Sequence, residues 1–228
     1  MKKISHNQLS GLSICFDLDG TLVDTAPDLV RVTSEVIAKR GHAPVNYRKA
    51  RNAVGYGSRR MIMDALESVG DKATESEIDE LQTQFLDRYA KSIADLSKPF
   101  AGVEDTLQDL TRFGAELSVC TNKPGWLARP LLKILKLDQH FIRIIGGDEA
   151  SRKKPAPDHI FEAAGHCHAN RIIMIGDSWP DMRAGHNAGV HTILMTYGYT
   201  PTPQIRLRAG TRLSQFRDIV PTLVSLYE

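Results

Sequence analysis

The chain has 228 residues, of which 42% are hydrophobic and 25% are charged, a composition typical of a globular protein. Its 29 lysines and arginines against 27 acidic residues give a formal net charge of +2, which excludes the basic excess of many nucleic-acid-binding proteins. Residues 1–8 lack the apolar segment of a signal peptide, no apolar stretch approaches the roughly 20 residues that span a membrane, and three widely spaced cysteines favour a reducing compartment. We therefore expect a soluble cytoplasmic protein with no nucleic-acid or membrane partner.

Short apolar segments along the chain predict strands of a buried parallel sheet. Each ends at a polar residue or a glycine and lacks clean alternation, which is typical of strands covered on both faces. The segments are residues 12–16, 116–120, 141–145, 171–175 and 191–195. Helical patterns lie between them, such as the one formed by Val103, Leu107 and Leu110. Strands that alternate with helices indicate an α/β fold.

The segment between the first two predicted strands is unusually long. It has roughly a hundred residues, far more than a single crossover helix needs. Three helices are predicted in it, over residues 25 to about 41, about 61 to 70, and 74 to about 89. Thr25 with Asp28, and Thr74 with Glu77, have the spacing of capping boxes at two of the helix starts.

These helices predict a second, smaller domain. Because no strand alternates with them, we interpret residues 25–96 as an all-helical cap domain inserted into a discontinuous core of residues 1–24 and 97–228. A last helix is expected over about 216 to 226. Arg206, Arg208 and Arg212 lack interleaved aromatic residues, so they are interpreted as a solvated loop and not as a nucleic-acid site.

Polar residues follow four of the predicted strands, at the edge where ligands bind to an open parallel sheet. Phosphoryl transfer requires an in-line nucleophile, cations at the phosphoryl oxygens and an acid for the leaving oxygen. Carboxylates are also ligands that Mg²⁺ prefers. The candidates in chain order are Asp17, Asp19, Thr121, Asn122, Lys154, Asp177 and Asp181.

The charges of these groups are consistent with a metal-assisted phosphate site. The four carboxylates carry about −4, which alone would repel a phosphate dianion, whereas one Mg²⁺ and Lys154 return about +3. The remaining crowding should raise at least one carboxyl pKa and keep an acid protonated. Each motif alone is also typical of a turn or a helix cap, so the prediction depends on their order and spacing after four strands.

The motifs resemble those of the haloacid dehalogenase superfamily, and within it the phosphoglycolate-phosphatase-like branch. The four segments that carry the resemblance are residues 17–25 (DLDGTLVDT), 119–124 (VCTNKP), 154–157 (KPAP) and 176–181 (GDSWPD). Residues 145–148 (IGGD) and 196–199 (TYGY) are similar to that branch in particular. The resemblance covers about residues 12 to 200 and implies a Rossmann-like α/β core, with a helical cap inserted after the first motif.

The resemblance also implies a role for each matching residue. Asp17 would be the nucleophile that forms an aspartyl-phosphate, and Asp19 would protonate the leaving alcohol and then activate water. Asp17, the backbone carbonyl of Asp19 and Asp177 would hold Mg²⁺. Asp181 would support that site, either as a direct ligand or by contacting a residue that is one. The remaining expected contacts, to the phosphoryl group and the substrate, are Thr21, Thr121, Asn122 and Lys154.

The substrate class is left open between related possibilities. Arg59 and Arg60 are candidates for holding a substrate carboxylate, but residues 55–60 are similar only in outline to phosphoglycolate phosphatases. A sugar phosphate, such as the N-acetylmuramic acid 6-phosphate hydrolysed by related enzymes, and a phosphomutase reaction are the alternatives. The partner is expected to be a small phosphorylated metabolite, and the sequence decides nothing between a monomer and a homodimer.

Two more distant functions fit the residues less well. Hydrolytic dehalogenation needs neither a metal nor an acid at the second position, so Asp19 and Asp177 argue against it. A phospho-accepting receiver module is much shorter, and its phosphorylated aspartate follows a middle strand. Here the paired aspartates follow the first strand, and a helical segment interrupts the fold.

Overall fold

The computed structural model describes residues 7–166 and 168–227, which form eight strands and nine α-helices. Six strands form one parallel sheet, and two short strands form an antiparallel pair. In chain order the strands are β1 (Ser13–Phe16), β2 (Val23–Asp24), β3 (Lys98–Pro99), β4 (Glu116–Cys120), β5 (Arg143–Ile145), β6 (Ile172–Gly176), β7 (His191–Met195) and β8 (Thr211–Leu213). The order in the large sheet is β5-β4-β1-β6-β7-β8.

Strand β1 lies inside the sheet because all four of its residues are apolar or small and fully covered. Ile14 lies between Leu117 of β4 and Ile173 of β6, and all three side chains are buried. This arrangement confirms the predicted α/β fold with a parallel sheet. A strand that the sequence did not predict is β8, which places Arg212 at the sheet edge and not in a loop.

The helices cover both the sheet and the long segment between β2 and β3. They are α1 (Ala26–Ala38), α2 (Tyr47–Arg51), α3 (Ser58–Ser68), α4 (Glu75–Lys91), α5 (Val103–Arg112), α6 (Gly125–Ile134), α7 (Asp158–Ala164), α8 (Trp179–Ala188) and α9 (Ile219–Tyr227). None of them, within the residues described, is long and apolar enough to cross a membrane.

Helices α1 to α4 form the segment that the sequence indicated as a cap. Helices α1, α3 and α4 pack against one another, and the β2–β3 pair joins the segment to the sheet domain. The sequence predicted three helices here, and α2 is the one that was missed. It has only five residues and buries none of them, so it has no apolar periodicity.

One of the two expected capping boxes is present and the other is wrong. The Thr74 Oγ1 accepts a hydrogen bond from the Glu77 amide at 3.3 Å, and the Glu77 carboxylate accepts one from the Thr74 amide at 2.7 Å. Thr25 has helical backbone angles (φ −94°, ψ −9°), and its side chain makes no capping hydrogen bond within the described chain. The buried Asp28 carboxylate instead accepts hydrogen bonds from the Leu96 amide at 2.9 Å and from the Ser97 amide at 2.8 Å.

Asp28 therefore connects the beginning of the helical segment to its end, which gives a first prediction. We expect Asp28→Ala to lower the free energy of unfolding by about 2 to 4 kcal/mol, because two backbone amides and the Ser97 hydroxyl lose a charged acceptor. Urea denaturation would measure the change. The control is Asp87→Ala, which removes an exposed carboxylate paired with Lys91 and should cost under about 1 kcal/mol. Equal effects of the two substitutions would contradict the role of Asp28.

Candidate active site

The sheet brings the predicted polar groups together at the carboxyl ends of its central strands. Asp17 directly follows β1, Thr121 follows β4 and Asp177 lies in the loop after β6. Lys154 reaches the same place from the loop after β5. All four residues are buried, so their charges and hydrogen-bonding groups act in a water-poor environment.

Three carboxylates are close enough to share a cation. Asp17, Asp177 and Asp181 each offer one oxygen, and these oxygens lie within 4.8 Å of one another. Burial, followed by the charge of Asp181, raises the pKa of Asp17 to about 7, although Lys154 opposes the shift. Burial, followed by the charges of Asp181 and Asp17, raises the pKa of Asp177 well above its ordinary value. An all-carboxylate set with this much repulsion fits Mg²⁺, which is a hard cation that prefers oxygen ligands.

Lys154 lies inside this acidic cluster. Its Nζ is 2.9 Å from Asp17 Oδ1 and 2.6 Å from Asp181 Oδ1, and the residue is only 2% exposed. Burial alone would lower the pKa of Lys154, but the charges of Asp17 and Asp181 raise it above its ordinary value. Lys154 is therefore a fixed positive charge next to the candidate nucleophile.

His159 supports the loop that carries Lys154, and the sequence did not identify it. The Lys154 amide donates to His159 Nδ1 at 3.3 Å, and His159 Nε2 bonds to the Ile145 carbonyl at 3.0 Å. Burial and the charge of Lys154 lower the pKa of His159 to about 4, so its Nδ1 stays an acceptor near neutral pH. Asn122 Nδ2 also donates to the Lys154 carbonyl at 3.0 Å, so its amide group holds this loop.

Both oxygens of Asp181 are already engaged. Oδ1 contacts Lys154, while Oδ2 accepts from the Ser178 amide at 3.0 Å and from the Ser178 hydroxyl at 2.5 Å. The bond from the Ser178 amide is one half of the capping box at the start of α8. The geometry therefore suits Asp181 to orienting Lys154 and adding negative charge beside the cation site.

Asp177 is held by residues from two distant segments. Thr21 Oγ1 donates to Asp177 Oδ1 at 3.3 Å, and the Tyr199 amide donates to Asp177 Oδ2 at 2.7 Å. Gly198 permits this approach, because a Cβ there would lie 2.1 Å from the Asp177 Cβ. Thr21 was expected to contact the substrate. Its fully buried hydroxyl instead contacts a carboxylate of the candidate metal site.

The Asp19 carboxylate lies apart from this cluster and contacts a lysine that the sequence did not assign to the site. Lys123 Nζ is 3.1 Å from Asp19 Oδ1, and Lys123 is buried. Because the Asp19 carboxylate bonds to Lys123, the part of Asp19 expected at the metal site is its backbone carbonyl. The additional positive charge brings the sum of four carboxylates, two lysines and one Mg²⁺ to about zero.

A cavity of about 620 Å³ separates these strand ends from helices α3 and α4. Arg59 and Arg60 line it, as expected for substrate contacts, but both are already paired. Arg59 binds the carboxylates of Glu75 and Asp79, and the Arg60 Nε is 2.7 Å from Asp64 Oδ1. Arg59 therefore links α3 to α4, Arg60 pairs within α3, and neither is a free charge facing the site.

Comparisons with known proteins agree with this architecture. The model of the haloacid dehalogenase-like hydrolase family matches residues 14–195. The chain is 41% identical to a phosphoglycolate phosphatase from Agrobacterium fabrum, over 96% of this chain and 95% of that protein. It is 33% identical to an N-acetylmuramic acid 6-phosphate phosphatase from Pseudomonas aeruginosa, over 82% of each chain.

A similar solved structure is the crystal structure of a predicted phosphoglycolate phosphatase from Haemophilus somnus. Its TM-score is 0.86 at 28% sequence identity, and the match covers 94% of this chain and 98% of that one. The family match covers strands β4 to β7, three of the four residues of β1 and all the charged side chains of the site. The chain belongs to the haloacid dehalogenase-like hydrolase family, as its motifs predicted.

Proposed function

We propose that this protein is a Mg²⁺-dependent phosphatase that hydrolyses a small cytoplasmic phosphate monoester, with 2-phosphoglycolate as the preferred substrate. The observation that carries the proposal is the buried cluster of Asp17, Asp177 and Asp181 with the Lys154 ammonium 2.9 Å from Asp17. A nucleophile, a cation site and a fixed positive charge are the groups that phosphoryl transfer requires. The relatives named phosphoglycolate phosphatase support the choice of substrate.

In the first step an oxygen of Asp17 attacks phosphorus, and the ester P–O bond breaks as the aspartyl-phosphate bond forms. Asp19 gives its proton to the leaving alcohol oxygen. In the second step Asp19 takes a proton from water, the water oxygen attacks phosphorus, and phosphate leaves as the Asp17 carboxylate is restored. Lys154 balances the charge of the phosphoryl oxygens in both steps.

The metal would be held by Asp17, Asp177 and the backbone carbonyl of Asp19, with Asp181 in support. When bound, Mg²⁺ would neutralise charge on the phosphoryl oxygens and on the carboxylates around them. Thr121 follows β4 and Asp177 follows β6, so the two residues lie on opposite sides of β1 and Asp17. From there the Thr121 hydroxyl would contact the phosphoryl group. We assign Asn122 a supporting part there, because its amide nitrogen already bonds to the Lys154 carbonyl.

A sugar phosphate is the second candidate, and the size of the cavity favours it. A volume of about 620 Å³ falls in the range of pockets that bind ligands much larger than a two-carbon acid. Tyr56 and Trp179 line the cavity and are 49% and 42% exposed, so their rings could stack on a sugar. The N-acetylmuramic acid 6-phosphate phosphatase relative is consistent with this alternative.

A phosphate-release screen across phosphorylated acids and sugar phosphates tests the proposal. We expect 2-phosphoglycolate to have the highest kcat/KM, and a chelator to reduce release at least about 100-fold until Mg²⁺ is restored. A thermal melt should show Mg²⁺ raising the Tm, because the cation binds the folded carboxylate cluster. Unchanged rates in chelator would refute the metal requirement. An isomerised sugar phosphate without free phosphate would instead indicate a phosphomutase.

A further inference from the structure

Lys123 is a buried cation in the cavity whose role is not explained by the chemistry at phosphorus. It lies just after β4 and is 8% exposed. Its Nζ is 3.1 Å from Asp19 Oδ1 and 2.8 Å from the hydroxyl of Tyr89, which belongs to helix α4 of the cap segment. The ammonium also lies 4.4 Å from the centroid of the Tyr89 ring, a distance typical of a cation–π contact.

These contacts leave hydrogen-bonding capacity that faces the cavity. An ammonium group has three donors. One bonds to the Tyr89 hydroxyl at 2.8 Å, and the Asp19 carboxylate accepts from the others, at 3.1 Å through Oδ1 and at a longer 3.4 Å through Oδ2. Tyr89 accepts the bond from Lys123, and burial raises the pKa of Tyr89 to about 12, so its own O–H proton is retained and can be donated. The N–H of Lys123 that makes the long contact to Asp19 Oδ2 and the O–H of Tyr89 are thus the donors that can turn to an oxygen of a ligand.

The position of this pair identifies the part of a substrate that it would meet. Lys154 and the carboxylate cluster surround the phosphoryl group, whereas Asp19 is the residue next to the leaving oxygen. Lys123 contacts Asp19 and is followed on the cap side by Tyr89. A ligand whose phosphorus faces Asp17 would therefore extend its leaving group towards Lys123 and Tyr89.

The other cations along the cavity are less suited to this task. Among the residues described, they are Arg59, Arg60, Lys153 and Lys154. Arg59 and Arg60 are paired with cap carboxylates, and Lys154 is enclosed by Asp17 and Asp181. Lys153 is exposed, where water weakens its attraction for an anion.

We propose that Lys123, oriented by Tyr89, recognises an anionic group on the leaving alcohol, so that this site selects a phosphorylated hydroxy acid over an uncharged phosphate ester. The inference rests on the phosphatase function proposed above and names the side chains that set its substrate class. A buried ammonium favours a carboxylate strongly because few waters compete for it, and the hydrogen bond is charge-assisted. Lys123 then replaces Arg59 and Arg60 as the expected carboxylate-binding residue.

Two substrates that differ only in that group provide the test. They are 2-phosphoglycolate and 2-hydroxyethyl phosphate, which has a CH₂OH group where the first has a carboxylate. We expect the wild-type protein to prefer 2-phosphoglycolate about 100-fold in kcat/KM. Lys123→Met should remove most of that preference: kcat/KM should fall at least about 10-fold more for 2-phosphoglycolate than for 2-hydroxyethyl phosphate, for which only the loss of the Asp19 contact counts.

Two further variants keep the test decisive. Tyr89→Phe retains the ring but loses the hydroxyl, so we expect a selective loss of about 10-fold on 2-phosphoglycolate even if Lys123→Met fails to fold. Lys133→Met removes an exposed lysine of α6 and should change neither rate. Circular dichroism melts would identify variants that are unfolded.

Each alternative outcome has a distinct meaning. Equal losses on both substrates would overturn the proposal and indicate that Lys123 acts only through Asp19. Loss of the preference in Arg59→Met but not in Lys123→Met would overturn it in favour of the arginine. A wild-type protein that hydrolyses sugar phosphates but neither small ester would overturn the proposal and leave the phosphatase function intact. Absence of phosphate release from every ester would refute both.

Discussion

Asp17→Asn is expected to abolish phosphate release, by about 10⁴-fold or more, while the chain stays folded. The amide of asparagine is not nucleophilic enough to form the acyl-phosphate bond. Asparagine has nearly the shape of aspartate, so β1 and its buried contacts should be retained. Steady-state phosphate release and circular dichroism would measure the two results. A variant with near-normal turnover would show that Asp17 is not the nucleophile.

The same substitution should stabilise the protein in the absence of metal. The pKa of Asp17 is raised from 3.8 to about 7, so the folded state binds this proton more tightly than the unfolded state. Stability should therefore fall as pH rises between these two values, because the ionised carboxylate is disfavoured in the fold. Asparagine resembles the protonated form at every pH and avoids this loss.

Thermal melts in chelator at pH 5 and pH 8 would test that expectation. Asp17→Asn should have a higher Tm than the wild-type protein, by a few degrees, with the larger difference at pH 8. Mg²⁺ should raise the Tm of the wild-type protein more than that of the variant, which lacks one of the proposed ligands. Asp87→Asn, at an exposed site on α4, is the control and should show no such pH dependence. A variant less stable than the wild-type protein at pH 8 would contradict the electrostatic argument.

The sequence predicted those parts of the fold and of the site that depend on local pattern. Strands β4 and β7 begin and end at the predicted residues, because the last four residues of each are buried in the sheet and are mostly apolar. Asp17, Asp177 and Lys154 were identified because each follows a strand, and parallel strands end at one edge. Chain order was sufficient for these assignments.

Other features could not be predicted because they depend on which distant residues meet. Lys123 pairs with Asp19 across 104 positions of sequence and with Tyr89 across 34, and its place in the VCTNKP segment does not show that it meets either residue. Asp28 has the spacing of a capping box with Thr25, but its carboxylate instead accepts hydrogen bonds from the amide and hydroxyl of Ser97, where the chain comes back to the sheet. His159 becomes a support of Lys154 only when α7 packs beside β5.

Lys154→Met is the second substitution for which we expect a large effect, and it should change both activity and stability. The Lys154 ammonium lies between Asp17 and Asp181, so its removal leaves two buried carboxylates without their nearest positive charge. Breaking a buried ion pair from one side typically costs about 3 to 5 kcal/mol. The loss of charge stabilisation at the phosphoryl oxygens should lower kcat about 10³-fold or more. Phosphate release with Mg²⁺ and urea denaturation in chelator would measure these changes.

Lys153→Met is a matched control, because it removes the same charge one residue earlier in the loop from an exposed position. We expect it to change stability by under about 0.5 kcal/mol and to leave kcat within a few-fold. Mg²⁺ should restore part of the stability of Lys154→Met, since a divalent cation also neutralises Asp17 and Asp181, but it should not restore kcat. If Mg²⁺ restored both, Lys154 would be needed only to hold the carboxylates together. If the two lysine variants behaved alike, the buried position of Lys154 would have no functional consequence, and the phosphoryl site would have to be assigned to other residues.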